Sequence, residues 1–433
     1  MPQKFANNKI LDWTSGRLSG GGSSVNGMQY VKTSDYVLRE WEKIAGPLWG
    51  PKAAVDNQKI IEKYNGQTNN QNSHGYTGRL DVRQTPLNAP IMTKKLVAAI
   101  ENATNYGTIL DYNDPATPIG PFLRWQLTQK PNGERASASN AFLFTDELTH
   151  FNKRSVGRNL IISYKTTALR ILFNENKDAV GIEYLKKGIP GNIYARKKVI
   201  ISAGINSPKL LMLSGIGPSD HLRSLNIPVV FNNPNVGQNL VDHTINMAVF
   251  NVNPADIDDV LEEPTSLYNG GAFLPAPNGI PYKRNIQLIG SYANGSLSLY
   301  IISLCPKSKG SITIQNNDPL KFVLVDYRTF EDPYDLELLK LVYKNYIVNI
   351  ATALASIDSK YQLITPSLEV IRNDELLEQY IKDTVSTTYH PQCLLKMAPY
   401  LSGGVVDYMG RVYGVNNLIV ADNSIIPTVT DGN

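Results

Sequence analysis

The chain has 433 residues, 42% of them hydrophobic and 18% charged, and its formal net charge at pH 7 is +4. A chain of this length and composition folds as a globular protein but exceeds one ordinary hydrophobic core, so two interleaved domains are expected. The small net charge gives no reason to expect nucleic acid or an anionic membrane as a partner, and no stretch reaches the roughly 18 apolar residues of a membrane-spanning helix.

The N-terminal part of the chain begins with a segment rich in Gly, Ser and Asn. Residues 20–24, Gly-Gly-Gly-Ser-Ser, have the composition of a flexible linker. Ser34 is placed to cap a helix that ends near Gly46. A second helix is expected over residues 93–106, with Gly107 as its terminator.

The middle of the chain has the pattern of short strands. Strands are expected at residues 160–163, 168–173 and 180–185, separated by Asn, Lys and Asp turns. A further apolar strand from Val199 ends at Gly204, where the missing side chain lets the backbone approach a bulky ligand. A helix with Pro208 in its first turn follows.

The last part of the chain is divided by composition. Residues 243–307 are irregular and rich in Pro and Asn, as expected for an inserted substrate domain. A strand is expected at residues 308–314. Asp332 and Pro333 are typical of the start of a helix, and the apolar pattern that follows continues to about Ile357.

Four strings of the sequence together resemble the signature of the glucose-methanol-choline (GMC) flavoprotein oxidoreductases. They are Gly-Gly-Ser-Ser-Val-Asn-Gly-Met at 21–28, Ser-Pro-Lys-Leu-Leu-Met-Leu-Ser-Gly-Ile-Gly-Pro at 207–218, Val-Gly-Gln-Asn-Leu-Val-Asp-His at 236–243, and Tyr-His-Pro at 389–391 with Leu-Ile-Val-Ala-Asp-Asn-Ser-Ile-Ile-Pro at 418–427. The resemblance implies a mixed α/β fold, in which the remnant of an FAD-binding domain is interleaved with a substrate domain on an antiparallel sheet.

On this resemblance the chain divides into five regions. They are a flavin-contacting segment (1–30), a helical cap and connecting region (31–150), part of the FAD-binding domain (151–243), the substrate-binding domain (244–389) and the C-terminal part of the FAD-binding domain (390–433).

The resemblance also assigns catalytic roles. His390 corresponds to the histidine that serves as base when an alcohol gives up its proton, and the reference pKa of imidazole, ~6.5, suits that task. Asn433 corresponds to the partner, histidine or asparagine in the family, which hydrogen-bonds the developing alkoxide. His243 is interpreted as structural, and the histidines at 74, 150 and 221 as surface or packing residues.

The implied cofactor is FAD, the implied substrate is a small alcohol, and no metal is expected. The residues that the resemblance places at the cofactor are Gly21, Gly22, Ser23, Ser24, Asn26, Gly27, Ala203, Gly204 and Asp422.

The sequence departs from the family pattern in three places. It contains no Gly-x-Gly-x-x-Gly turn between a strand and a helix, the element that holds the pyrophosphate of FAD. It stops at Asn433, where the family continues with a helix. The family loop His-Pro-x-Gly-Thr reads His-Pro-Gln-Cys-Leu here, with Cys393 and Leu394 in place of Gly and Thr.

These departures favour a GMC-type oxidoreductase truncated at both ends, with little or no activity, similar to the truncated GMC-type proteins of giant DNA viruses. Two alternatives stay open: an active enzyme completed by a missing or separate segment, and a structural or binding protein of the virion type. Self-association is expected if apolar faces are left uncovered. The two cysteines favour a reducing, intracellular compartment, and a virion location is also open.

Overall fold

The computed structural model describes residues 1–86, 88–116, 118–143, 160–257, 269–293 and 295–432. The domain boundary expected between residues 150 and 151 lies outside the described residues. The α-helices of the described part are α1 (Asp35–Ala45), α2 (Pro51–Ile61), α3 (Ile91–Thr104), α4 (Ser207–Leu213), α5 (Ser219–Ser224), α6 (Pro333–Val342), α7 (Val348–Ile357), α8 (Leu368–Arg372) and α9 (Asp374–Thr384). None of these helices is both long and apolar enough to cross a membrane.

The strands of the same part are β1 (Pro2–Gln3), β2 (Lys9–Ile10), β3 (Glu62–Asn65), β4 (Leu80–Gln84), β5 (Gly120–Phe122), β6 (Gln126–Leu127), β7 (Thr166–Phe173), β8 (Ala179–Lys186), β9 (Ile189–Tyr194), β10 (Val199–Ile201), β11 (Ile216–Gly217), β12 (Phe231–Asn232), β13 (Gln238–Leu240), β14 (Thr244–Asn251), β15 (Gly271–Leu274), β16 (Ile286–Ala293), β17 (Ser296–Ser303), β18 (Gly310–Thr313), β19 (Leu324–Asp326), β20 (Leu363–Thr365), β21 (Ser386–Thr387) and β22 (Leu418–Val420). The fold is therefore of the mixed α/β class expected from the sequence.

The largest sheet is antiparallel and has seven strands, in the order β20-β14-β17-β16-β15-β5, with β21 also paired to β14. Strands β14 and β17 pair over their whole length, from Thr244 opposite Ser303 to Asn251 opposite Ser296. The expectation that residues 243–307 are irregular was wrong, because four of these strands lie there. Strand β16 is buried on both faces along most of its length, so its sequence lacks the alternation that marks a half-exposed strand.

The two faces of this sheet have different cores. Helices α3, α6, α7 and α9 cover one face, where Leu96 and Leu339 pack with Leu299 of β17. The other face carries an aromatic cluster, formed by Tyr112, Phe122, Trp125 and Phe273 with Ile289, Ile302 and Leu304. Side chains alternate along a strand, so Leu299 and Ile302 of the same strand serve opposite faces.

The second core lies between α4 and a group of short strands. Strands β10 and β22 form a parallel pair, with Val199 opposite Leu418, and β7, β8 and β9 form an antiparallel meander. Helix α4 begins at Ser207 with Pro208 in its first turn, as predicted. The strand expected at residues 160–163 was wrong, since β7 begins only at Thr166.

The helix ends show which local signals decide a boundary. Asp332 caps α6 as predicted, because its side chain accepts a hydrogen bond from the backbone N–H of Tyr334 at 2.9 Å. The predicted cap at Ser34 was wrong: α1 starts where expected, but the Ser34 hydroxyl donates to Asp431 and makes no cap bond. Helix α3 ends at Asn105, whose φ of 58° is left-handed, two residues before the predicted terminator.

Candidate active site

His390 lies in the loop after β21, and this loop is bound to the turn after β13. The backbone N–H of His390 donates to Oδ1 of Asp242 at 2.8 Å, and Thr387 Oγ1 donates to Oδ2 of the same carboxyl. Val241 and Gln392 exchange a pair of backbone hydrogen bonds of 3.2 and 2.9 Å. Both ends of the loop around His390 are therefore fixed to one buried turn.

A second histidine contacts His390. Nδ1 of His243 lies 3.1 Å from Nδ1 of His390, with the two rings nearly perpendicular at 87°. Nε2 of His243 lies 2.8 Å from the carbonyl oxygen of Thr430, and Oγ1 of Thr388 lies 3.0 Å from Nδ1 of His390. Among the described residues, Nε2 of His390 makes no hydrogen bond.

Burial determines the charge state of this pair. It lowers the pKa of His243 to about 4. Burial, with His243 close by as the second cause, lowers the pKa of His390 to about 3. Both imidazoles are therefore neutral at neutral pH, and each ring has one N–H and one free lone pair.

The glycine-rich segment forms a short 3₁₀ turn, Gly21–Ser24, and not a flexible linker. A Cβ placed on Gly21 or Gly22 would meet nothing within 4 Å, so the space outside this backbone is open. Gly21 has a φ of +54°, which favours glycine. The hydroxyls of Ser23 and Ser24 donate to backbone carbonyls of the same segment, at 2.6 and 2.7 Å.

The end of this segment is held by one arginine. Nη1 of Arg135 donates to the backbone carbonyl of Asn26 at 2.8 Å and to its side-chain oxygen at 2.7 Å. The side chains of Ser23, Ser24 and Asn26 thus shape the segment itself. Their predicted contacts to a cofactor, and that of Gly27, stay predictions.

A second open glycine follows β10. Gly204 has a φ of +57°, and a Cβ on it would again meet nothing within 4 Å. Its N–H and the hydroxyl of Ser207 donate to Oδ2 of Asp422 at 2.9 and 2.6 Å, while Oδ1 of Asp422 accepts from the N–H of Ser424 at 2.9 Å. Asp422 therefore ties the turn after β10 to the turn after β22, and its direct contact to a cofactor stays a prediction, as does that of the exposed Ala203.

The chain after the first glycine turn lies against the residues that hold His243. The backbone N–H of Ser34 donates to Asp431 at 2.8 Å, and Gly432 approaches Val31 so closely that a Cβ on it would lie 2.4 Å from Val31 Cγ1. Thr430 precedes these residues and accepts from His243. Asn433, the predicted partner of His390, lies outside the described residues, so its role stays a prediction.

Partly exposed apolar side chains border the aromatic cluster on this side of the large sheet. They are Met28, Val31, Ile109, Ile245, Tyr300 and Cys305. Ile245 follows His243 by two residues and lies opposite Ile302 in β17. An apolar surface therefore continues from the histidine pair across the sheet.

A buried charged network holds the same segment from the other side. His74 lies between two carboxylates, with Nδ1 2.8 Å from Glu62 Oε1 and Nε2 2.9 Å from Asp111 Oδ2. Lys32 donates to Glu62 at 2.9 Å, and its backbone N–H donates to Asn113 at 2.7 Å. His74 is thus a packing residue, as one of the two interpretations had it.

The remaining histidines differ in what the structure says of them. His221 is half-buried and lies 3.1 Å from the carbonyl of Ile314, which agrees with a packing role. His150 lies outside the described residues. No group of three or more His, Cys, Asp or Glu side chains in the described part of the chain could hold a metal ion.

The open glycine turns suit the ring of a flavin better than its phosphates. The turns at Gly21 and Gly204 leave open space in which a flat ring can lie against backbone. Donors for the pyrophosphate of FAD are not recognised, since the sequence contains no Gly-x-Gly-x-x-Gly turn. The open turns are compatible with the ring of FAD, and its binding by this chain stays a prediction.

Comparison with known proteins gives a consistent result. Sequence models of the GMC oxidoreductase family match residues 4–245 and residues 306–433. Two similar proteins are GMC oxidoreductase family protein Mala s 12 of Malassezia sympodialis, 27% identical over 98% of this chain and 78% of the relative, and alcohol dehydrogenase [acceptor] of Pseudomonas putida, 28% identical over 100% of this chain and 81% of the relative. A solved FAD-dependent oxidoreductase from Chaetomium thermophilum covers 100% of this chain and 86% of its own, with a TM-score of 0.86 at 22% identity.

These matches bear on the expectations from the sequence in different ways. The fold and the family are confirmed, while truncation, inactivity and the resemblance to giant-virus proteins find no support in them. The N-terminal family model alone matches more than half of the chain. The chain belongs to the GMC oxidoreductase family.

Proposed function

We propose that this chain oxidises the CH–OH group of a small alcohol, with His390 as the base that accepts the hydroxyl proton and FAD as the redox cofactor. The observation that carries the proposal is the state of His390. Its backbone and Nδ1 are held by neighbours, its ring is neutral at neutral pH, and Nε2 has no partner among the described residues. A positioned base contributes about 10²- to 10⁴-fold to a rate. The lowered pKa keeps Nε2 unprotonated, but it makes His390 a weaker base than the ordinary imidazole expected from the sequence.

The backbone at Gly21, Gly22 and Gly204 would hold the flavin ring, because the family resemblance places these positions at the cofactor and each leaves open space beside the chain. When bound, FAD would accept the hydride from the alcohol carbon. The side chain of Asn433 would hydrogen-bond the alcohol oxygen and lower the cost of the charge that develops there.

The substrate is proposed to have an apolar body. Met28, Val31, Ile245 and Tyr300 are partly exposed beside the aromatic cluster, and apolar walls favour an uncharged substrate over a quaternary ammonium one. The relative from Pseudomonas putida, named as an alcohol dehydrogenase, supports an alcohol as the substrate class.

A finer expectation concerns affinity for the cofactor. Each charge-assisted contact to a phosphate contributes roughly 1.5–3 kcal/mol, and the 433 residues contain no Gly-x-Gly-x-x-Gly turn to provide them. We therefore expect this polypeptide, tested by itself, to hold FAD weakly and to turn over slowly. A separate polypeptide that supplies those contacts would raise both affinity and rate.

The experiment compares two primary alcohols at saturating FAD. Benzyl alcohol has an apolar body and choline a cationic one, and oxidation of each is followed with an artificial electron acceptor. We expect slow but measurable oxidation of benzyl alcohol at a kcat/KM well above that of choline. Preference for choline would overturn the apolar substrate class, and no oxidation of any alcohol at saturating FAD would overturn the proposed function.

A further inference from the structure

We propose that His243, together with the hydroxyl of Thr388, fixes the tautomer of His390, keeping its ring proton on Nδ1 and leaving the lone pair of Nε2 free. His243 is then a positioning residue, where the sequence indicated only a structural one. The importance of this tautomer for a reaction rests on the proposed function, but the tautomer itself is a property of the protein without cofactor.

The first step starts from the carbonyl oxygen of Thr430. A carbonyl only accepts hydrogen bonds, so Nε2 of His243, 2.8 Å away, must carry a proton. Thr430 is itself held in place, because its N–H donates to Oε1 of Gln392 at 3.1 Å and its hydroxyl donates to the carbonyl of Gly432 at 2.9 Å. The acceptor that orients His243 is therefore fixed by backbone and side chain.

The second step concerns the other nitrogen of His243. The side chain is fully buried, and burial lowers its pKa to about 4. A neutral imidazole has only one N–H. Since Nε2 carries it, Nδ1 of His243 is an acceptor.

The third step assigns the position of the ring proton on His390. Its Nδ1 lies 3.1 Å from the acceptor nitrogen of His243, and two lone pairs facing each other at that distance would repel. Nδ1 of His390 must therefore carry the proton. Its own pKa is lowered to about 3, so the ring is neutral and Nε2 keeps a free lone pair.

Thr388 leads to the same assignment by an independent route. Its hydroxyl donates to the backbone carbonyl of His243 at 2.9 Å, so its single hydrogen is already used. Towards His390 the Thr388 oxygen, at 3.0 Å from Nδ1, then acts as an acceptor. Two acceptors thus meet the same ring nitrogen of His390.

The consequence is a directional chain from Thr430 through His243 to His390. A base must present its lone pair to the proton it takes. In the opposite tautomer, Nε2 of His390 would carry an N–H and could accept nothing until a proton moved elsewhere. His243 therefore prepares His390 for proton acceptance without contacting a substrate.

The test measures the tautomer directly in the cofactor-free chain. The protein is labelled with ¹⁵N-histidine, and long-range ¹H–¹⁵N spectra at pH 7 distinguish protonated from unprotonated ring nitrogens, with assignments from single substitutions of the five histidines. We expect His390 as the Nδ1–H form and His243 as the Nε2–H form. A wild-type spectrum in which His390 is mainly the Nε2–H form would overturn the inference; if one variant does not fold, its signal is assigned by elimination from the other four.

Two nearly isosteric variants separate the acceptor from simple packing. In a Thr388→Val background, His243→Asn supplies an amide oxygen as acceptor, whereas His243→Leu supplies none. We expect the Asn variant to retain the Nδ1–H form of His390 and the Leu variant to lose it in favour of the Nε2–H form. Retention of Nδ1–H in the Leu variant, with a native thermal melt, would also overturn the inference.

The activity readout keeps this inference apart from the proposed function. If alcohol oxidation is found, His243→Leu in the same background is expected to lower kcat by less than the ~10²–10⁴ of losing the base, with little change in KM. If no alcohol is oxidised although the spectra show the expected tautomers, the proposed function fails while the inference about His243 stands.

Discussion

At the scale of single residues, Cys393 shows what the departure from the family loop costs. Its φ of 68° is in the left-handed region, and its side chain is buried beside Val37, Trp41 and Val241. A non-glycine residue in that region costs roughly 1–2 kcal/mol. We therefore expect Cys393→Gly to be more stable than Cys393→Ala by about 1 kcal/mol in the free energy of unfolding, measured by denaturant titration.

The matched control for that comparison is the other free cysteine. Cys305 has no positive φ, so the ordinary preference of folded backbone for alanine applies there. Cys305→Ala is expected to be more stable than Cys305→Gly. The account of strain at Cys393 would be wrong if alanine were the more stable choice at both positions.

The residues of the site were predictable to different degrees. His390 was predicted from the string Tyr-His-Pro together with the family-like string at 418–427, both of which are read from the sequence without the fold. The partnership of His243 with His390 was not predictable, because a sequence separation of 147 carries no spacing signal and only the fold joins them. The same holds for Ser34, whose hydroxyl binds a carboxylate 397 positions away instead of capping its own helix.

At the scale of elements, the buried charged network of Lys32, Glu62, His74 and Asp111 joins the segment around Lys32 to β3. Burial by itself would lower the pKa of His74, but hydrogen bonds to Asp111 and Glu62 outweigh it and raise the pKa above its ordinary value. His74 is therefore the cation that compensates two buried carboxylates together with Lys32. Removing one partner of such a network typically costs about 3–5 kcal/mol.

His74 gives a pH-dependent prediction with a definite sign. Its folded-state pKa lies above the unfolded value of 6.5, so its stabilisation is complete below that pH and is lost as the pH rises through the folded pKa. The free energy of unfolding of the wild type should decrease as the pH rises through the folded-state pKa of His74. His74→Gln should be less stable than the wild type at neutral pH and should not show this decrease with pH. His221→Gln, at a half-buried site, serves as the control. Equal slopes in the wild type and His74→Gln would contradict the role assigned to the network.

Strand prediction failed in residues 243–307 for two different reasons. Strand β16 lies between a layer of helices and the aromatic cluster and is buried along most of its length, so its sequence lacks the alternation of polar and apolar residues. Strands β14 and β17 do alternate between buried and more exposed residues, and they were missed because the Pro and Asn content of the region outweighed that pattern. Strands β7 and β8 were predicted nearly to their ends, because they carry short β-type runs bounded by polar turns. Helices α1 and α3 kept enough of an amphipathic pattern to be found.

At the scale of the whole molecule, the sequence and the fold give separate information about the binding of FAD. The two turns proposed to hold the flavin ring leave open space, and the 433 residues contain no Gly-x-Gly-x-x-Gly fingerprint for its phosphates. We expect titration of this polypeptide with FAD, followed by flavin fluorescence, to give a dissociation constant of about 1 µM or higher. This corresponds to a binding free energy no more favourable than about −8 kcal/mol. Stoichiometric flavin that stays bound through gel filtration would contradict this expectation.

The central claim is that His390 is the base of an alcohol oxidation, and one comparison tests it most directly. The wild type and His390→Gln are saturated with FAD, freed of oxygen and mixed with benzyl alcohol, while the flavin absorbance is followed in a single turnover. The account predicts loss of the oxidised flavin band in the wild type, at a rate about 10²–10⁴ times that of the variant, with equal FAD binding by both. Equal rates in the two proteins, or no loss of the band in the wild type, would contradict it.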